Sequence, residues 1–279
     1  MSTIEITRYD TGLGTTYERY ALNRLLGRLA QELDIHTVLE GPSDGMTGIA
    51  GLNSMVLARQ GAQVCVVLPD QEMSQLAERA WDAANCRSRG TFVVSPEPAL
   101  QFADNSFDLV WSFNVISRLD NSDQILDEML RVSRRYVLLF VPNRWNYGFW
   151  LHRLHHWVSG EPWDHGSVDM LTPKPWQRLL QKRGLKVHDP MWVDIPWWPD
   201  IVDAGQLIQD FLPFLKRFAE KARPENRYSW DAENLPYFEP ARYPEVHARL
   251  ERLSFIENSR LPVVRQLFAH HVGILAEKI

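Results

Sequence analysis

Cysteine is scarce: the 279 residues hold two, Cys65 in an apolar run and Cys86 in a polar stretch. No CxxC and no Cys/His finger spacing occurs, which argues against a disulfide framework or a zinc module and leaves two reduced thiols as the expectation. No run approaches the roughly 20 apolar residues of a membrane span, and Met1 to Asp10 lacks the basic start and apolar middle of a signal peptide. No integral membrane segment is expected, and a cytoplasmic location follows. An excess of basic side chains is missing too: 30 Lys and Arg stand against 35 Asp and Glu, a net charge of −5 with pI near 6.0. A duplex-DNA binder carries the opposite bias, because its affinity comes from neutralising phosphates, so no nucleic-acid partner is expected.

What is present fits a globular chain with a real core, at 45% hydrophobic and 23% charged residues. Tryptophan is the oddity. Eight of the eleven, from Trp145 to Trp198, fall within residues 145–198.

Apolar residues Tyr20, Leu22, Leu25, Leu26 and Leu29 recur at helical steps between Thr15 and Leu33. A short strand Thr37–Glu40 follows, then a tight turn Gly41–Gly45, then a helix expected over Thr47–Arg59. Gln63–Leu68 is apolar at almost every position and reads as a strand buried on both faces. After it come a helix from Asp70 to about Ala84, strands Thr91–Val94 and Phe107–Phe113, a helix Ser122–Val132 and a strand Tyr136–Val141. Strands alternating with helices specify a parallel, doubly wound α/β sheet. Beyond it a helix is expected over Pro173–Arg183, strands over Leu185–Ile195 and Phe268–Lys278, and helices around Ala204–Ala222 and Pro244–Ile256. Residues 1–36 are expected to form an N-terminal helical flap, 37–195 the core, 196–262 a helical Trp/Pro-rich insertion serving as a lid, and 263–279 the last strand.

Three segments resemble the class I methyltransferases that use S-adenosylmethionine. Val38-Leu39-Glu40-Gly41-Pro42-Ser43-Asp44-Gly45 is similar to that family's acidic residue and glycine turn, with Ser43 at the middle glycine. Leu100 to Val110 is similar to its Leu-Pro-Phe-x-Asp-x-Ser-Phe-Asp run, and Asp123 to Asn143, a helix leading into a strand, to its fifth strand. The resemblance covers about residues 35–195 and the last dozen. It implies a Rossmann-like sheet of seven mostly parallel strands with an antiparallel last strand, S-adenosylmethionine as cofactor, and a small, apolar or aromatic acceptor. It places the cofactor's amino-acid end at Glu40, Gly41, Pro42, Ser43, Asp44 and Gly45. The family's ribose acid falls on Leu68, with Asp70 two places on, and its adenine-side acid on Pro96, with Glu97 beside it. Phe113 and Asn114, at the end of the fourth core strand, are implied to line the site.

Methyl transfer needs alignment and water exclusion, and a base where the nucleophile must lose a proton. His165, with Asp164 or Glu161 to orient it, is the base expected from the segment after Asn143. His152 and His156 share a helix face, but no third ligand is spaced to join them, so no metal is expected. One ring of His270-His271 should point inward and the other outward, and neither is chosen for catalysis. The tryptophans would either wall the acceptor pocket or fasten the insertion to the sheet. A Trp145–Val158 stretch lying on a membrane surface ranks lower, given its mixed faces and the negative net charge. Two other readings stand behind the enzyme: a methyltransferase-like binding partner with a degenerate cofactor site, and, last, a nicotinamide oxidoreductase. Oligomeric state is left open.

Overall fold

The computed structural model describes residues 8–44, 48–95, 100–160, 167–198 and 228–279. After a two-residue strand β1 (Asp10–Thr11), helix α1 runs Gly12–Glu32 and buries Tyr17, Leu22, Leu26 and Leu29 along one side. The core sheet then begins with β2 (Thr37–Glu40), β3 (Gln63–Leu68), β4 (Gly90–Val94), β5 (Phe107–Phe113) and β6 (Ser133–Pro142). Helices α2 (Met55–Arg59), α3 (Gln71–Ala83) and α4 (Ser122–Val132) connect them. Downstream lie α5 (Phe149–Ser159), α6 (Pro173–Lys182), β7 (Lys186–Val187), β8 (Met191–Val193), β9 (Ser229–Trp230), α7 (Pro244–Leu253), α8 (Pro262–Phe268) and β10 (His271–Glu277).

The sheet order is β4-β3-β2-β5-β6-β10-β7, and β8 also pairs with β10. Strands β2 to β6 are parallel, whereas β10 runs antiparallel to β6, β7 and β8. The chain therefore winds outward from β2 to β4 and returns to β5 on the other side of β2. The carboxyl ends of β2 and β5 flank that reversal, which is where open α/β sheets bind ligands. β1 pairs with β9 in a separate ribbon.

Alternation along the strands splits the apolar residues between two faces. Val38, Val66, Leu68, Trp111, Phe113 and Phe140 join the core shared with α1, α2 and α3. Leu39, Cys65, Val67, Val110, Leu139 and Val141 join the one shared with α4 and α6, where Trp176 is buried. Both cysteines are free and buried. Trp81, Trp111 and Trp176 are fully buried, whereas Trp145, Trp150, Trp157 and Trp197 are exposed, so the tryptophan-rich stretch does not serve one purpose.

Three expectations change. The helix expected over Thr47–Arg59 is reduced to Met55–Arg59. Gly48 and Gly51 have φ of +122° and +74°, and a Cβ on Gly48 would lie 2.2 Å from Asp10 Oδ1. The Ile49 N–H donates to Asp10 (2.6 Å) and its carbonyl accepts from Arg19 (2.7 Å), so side chains take the groups a helix would use. The strand expected over Leu185–Ile195 is divided into β7 and β8, because His188-Asp189-Pro190 interrupts it and proline has no N–H to donate. The last strand starts at His271 rather than Phe268, since Pro262–Phe268 is helical. The helix expected around Ala204–Ala222 lies outside the described residues.

Candidate functional site

At the carboxyl end of β2 the turn Gly41-Pro42-Ser43-Asp44 is fastened to β5. Gly41 N–H donates to the Trp111 carbonyl (2.9 Å), and Ser112 Oγ donates to the Pro42 carbonyl (2.8 Å). A Cβ on Gly41 would lie 2.9 Å from Val67 Cβ, so strand β3 itself requires glycine there. The buried Glu40 turns to the other side, where its Oε2 accepts the Ser54 N–H (2.9 Å) at the start of α2. Burial raises the Glu40 carboxyl pKa, against the opposing pull of Ser54 and Arg19.

Across the crevice, Asn114 ends β5 with φ +58°, a left-handed conformation rare outside glycine. Its N–H donates to the Phe140 carbonyl (3.0 Å) and its own carbonyl accepts from Arg118 Nε (3.1 Å). The Asn114 Oδ1 is buried and has no hydrogen-bond partner among the described residues. Arg118 closes the arrangement by ion-pairing with Asp44. Glu40, Gly41, Pro42, Ser43, Asp44, Phe113 and Asn114 are thus brought together on adjacent strands. Leu68 is fully buried and packs toward Gly51. Asp70 caps α3, its Oδ1 accepting the Met73 N–H (2.8 Å). Gly45, Glu97, Glu161, Asp164 and His165 lie outside the described residues.

A second cluster, not found by the sequence reading, lies beside Phe113 on the α1 face. The His271 ring lies tilted against Phe113, with centroids 4.8 Å apart and planes at 58°. Its Nδ1 is 3.5 Å from Asp194 Oδ2 and its Nε2 is 3.9 Å from Glu18 Oε2, while His270 Nδ1 is 3.0 Å from the same Asp194 oxygen. Both imidazoles are buried, contrary to the expected alternation. His270 precedes the strand, its N–H donating to the Asp194 carbonyl (2.9 Å), and Asp194 adopts φ +57°. Desolvation alone would raise the Asp194 carboxyl pKa, but the two histidines outweigh it and hold it at about 2. Glu257 moves the other way, to about 7, pushed up by burial and by Asp194. Tyr17 Oη and Asp194 Oδ1 are buried without hydrogen-bond partners among the described residues. Unsatisfied buried polar atoms are uncommon in folded proteins. Glu18, Asp194 and His271 each offer a ligand atom within 4.8 Å of one another, a spacing at which one cation could touch all three. The only sequence signals were the His-His pair and two polar residues, Tyr17-Glu18, on a buried helix flank.

The residues around the glycine turn and this cluster meet at Phe113, at the reversal of strand order. Residues 47–141 match the family model described as a methyltransferase domain. The matched segment covers about a third of the chain and resembles a methyltransferase domain. The match runs from the turn before α2 through β6, so it includes Phe113, Asn114 and Arg118. The fold is the class I methyltransferase fold, with its reversal between β2 and β5 and its antiparallel strand β10. Among solved structures it is similar to the MccD protein, with TM-score 0.51 and 11% identity over 90% of this chain and 95% of that one. It is also similar to the YcgJ protein of Bacillus subtilis, with TM-score 0.50 and 13% identity over 92% and 97% of the two chains. At these identities the likeness is one of fold. No curated protein matches the chain in sequence. Among the described residues, no helix is long and apolar enough to cross a membrane.

Proposed function

We propose that the chain is an S-adenosylmethionine-dependent methyltransferase acting on a small-molecule acceptor. The cofactor would lie in the crevice between Asp44 and Asn114, and the acceptor's nucleophile beside Phe113 and His271. The observation that carries this reading is the unpartnered Asn114 Oδ1, buried at the reversal of strand order in a methyltransferase domain. A buried amide oxygen costs free energy until a donor reaches it, and the ammonium of an amino acid is such a donor. Arg118 and Asp44 carry the two charges that complement an amino-acid carboxylate and ammonium. The chain fits the cofactor at this end. At the ribose end Leu68 offers no acceptor, and Asp70 has one oxygen engaged in capping α3.

When bound, the cofactor supplies a methyl group already activated on a sulfonium. The protein's own work is to hold the acceptor in line and keep water out, which the buried rings of Phe113 and Tyr17 support. His271 is the proton acceptor in this proposal, with Asp194 and Glu18 stabilising the imidazolium it becomes. That assigns to His271 the role expected of His165.

Hydrogen exchange with and without S-adenosylhomocysteine tests the placement. Added protection is expected in the turn 41–44 and in 113–118. Protection confined to other segments, or none, would remove the reading.

A further inference from the structure

Helix α5 exposes Trp150, Leu154, Trp157 and Val158, spaced i, i+4, i+7 and i+8, so its apolar stripe faces outward. Trp157 is 81% exposed. Helix α8 does the same with Val263, 74% exposed, and Leu267 four residues on. The two helices share one anchor: Tyr147 N–H donates to the Leu267 carbonyl (3.1 Å), and the Tyr147 and Phe268 rings lie 5.2 Å apart. Exposed apolar surface concentrated in this way marks an interaction face, because scattered single residues would not share one foundation.

The local charge says what the face meets. No Asp or Glu occurs between Asn143 and Gly160 or between Asn258 and His271, in a chain with 35 of them. Those stretches instead carry Arg144, Arg153, Arg260 and Arg265. Arg144 ion-pairs with Asp169, and the side chains of Arg153 and Arg260 are solvent-exposed. These two stretches do not contribute to the negative net charge that argued against a membrane surface. Against a second copy of the chain, the face would set arginine near arginine. Tryptophan and leucine on one helix stripe, in stretches that carry arginine and histidine and no acid of their own, is a composition that settles at the boundary of headgroups and acyl chains.

We propose that the α5–α8 face docks on an anionic lipid surface. Docking would also set the site against the membrane. Tyr147 Oη donates to the Trp197 carbonyl (2.7 Å), Trp197 lies 5.9 Å from Trp198, and Trp198 lies 5.6 Å from Tyr17, so one line of aromatics joins the face to the His271 cluster. On the methyltransferase reading, and resting on it, the acceptor is an amphiphile whose apolar part stays in the lipid while its polar end reaches His271.

Flotation of the full chain with phosphatidylcholine vesicles, with and without phosphatidylglycerol, tests the docking without any cofactor. Binding is expected only to the anionic vesicles and should weaken as salt is raised. Trp157→Ala and Trp150→Ala should each weaken it by about tenfold, and Arg153→Gln or Arg260→Gln by about fivefold. Unchanged circular dichroism keeps these losses distinct from misfolding. Absence of binding to anionic vesicles overturns the proposal, as does a dimer in light scattering that Trp157→Ala dissociates while vesicle binding stays absent. Vesicle binding by a chain that fails to bind S-adenosylhomocysteine would support docking and contradict the methyltransferase reading alone.

Discussion

Arg118, in the turn after β5, reaches back to ion-pair with Asp44 in the loop after β2, so one side chain spans the point at which the strand order reverses. Both partners are mostly shielded, with side-chain exposures of 21% and 13%. The pair also bonds the Asn114 carbonyl through Arg118 Nε, 3.1 Å away. Strand β5, the glycine turn and the unpartnered Asn114 oxygen are thereby coupled.

Arg118→Ala should weaken S-adenosylhomocysteine binding by about 10- to 100-fold, the equivalent of one lost charge-assisted contact. Tryptophan fluorescence titration reads this. Equal affinity in the variant would move the amino-acid end of the ligand elsewhere.

Asp10 and Arg19 form a buried pair that holds the N-terminal strand to the segment after the glycine turn. Arg19 Nε lies 2.9 Å from Asp10 Oδ2, and Asp10 also accepts from Ile49 N–H and Tyr237 Oη. Arg19→Met leaves a buried carboxylate without its cation and should cost about 3–5 kcal/mol in guanidinium unfolding. A loss under about 1 kcal/mol would mean that the pair is not buried in solution.

Glu257 and Asp194 give opposite dependences of stability on pH. The folded Glu257 pKa, about 7, lies above its ordinary 4.5, so between those values the folded state holds a proton that the unfolded chain releases. Stability should therefore fall as pH rises from 4.5 to about 7 and then level off. Asp194, held at about 2 against an ordinary 3.8, contributes stability that is complete above about pH 4 and lost as pH falls through 2. Urea unfolding of Glu257→Gln across this range should lack the decline toward neutral pH. An identical slope in both proteins would contradict the placement of Glu257.

His271→Gln should lower kcat by about 100-fold with little change in KM for any acceptor that must lose a proton. The acid limb of the pH–rate profile should disappear with it. A variant that keeps the limb would return the base to another residue.

Much of the sheet was legible in the sequence. The bounds expected for β2, β3 and β5 match those observed, and so do those of α4, because continuous apolar runs and a clean helical period belong to elements buried in a parallel sheet. The turn 41–44 and the end of β5 were legible through the family resemblance, and the fold brings them side by side. The short α2 was not, since Asp10 and Arg19, distant in the chain, compete for the backbone of Ile49. Nor was the His271 cluster, because Tyr17, Glu18, Phe113, Asp194 and His271 come from four separate segments. No local period records that meeting; only the register of β10 on β6, which sets His271 opposite Pro142, creates it.

The most direct test of the cofactor crevice is calorimetric titration of the full chain with S-adenosylhomocysteine, beside Asn114→Gly, which preserves the left-handed backbone and removes only the amide. The expected result is saturable one-site binding in the intact chain that weakens by at least about tenfold in the variant. Absence of heat at millimolar ligand in the intact chain, or equal affinity in both proteins, would contradict the assignment.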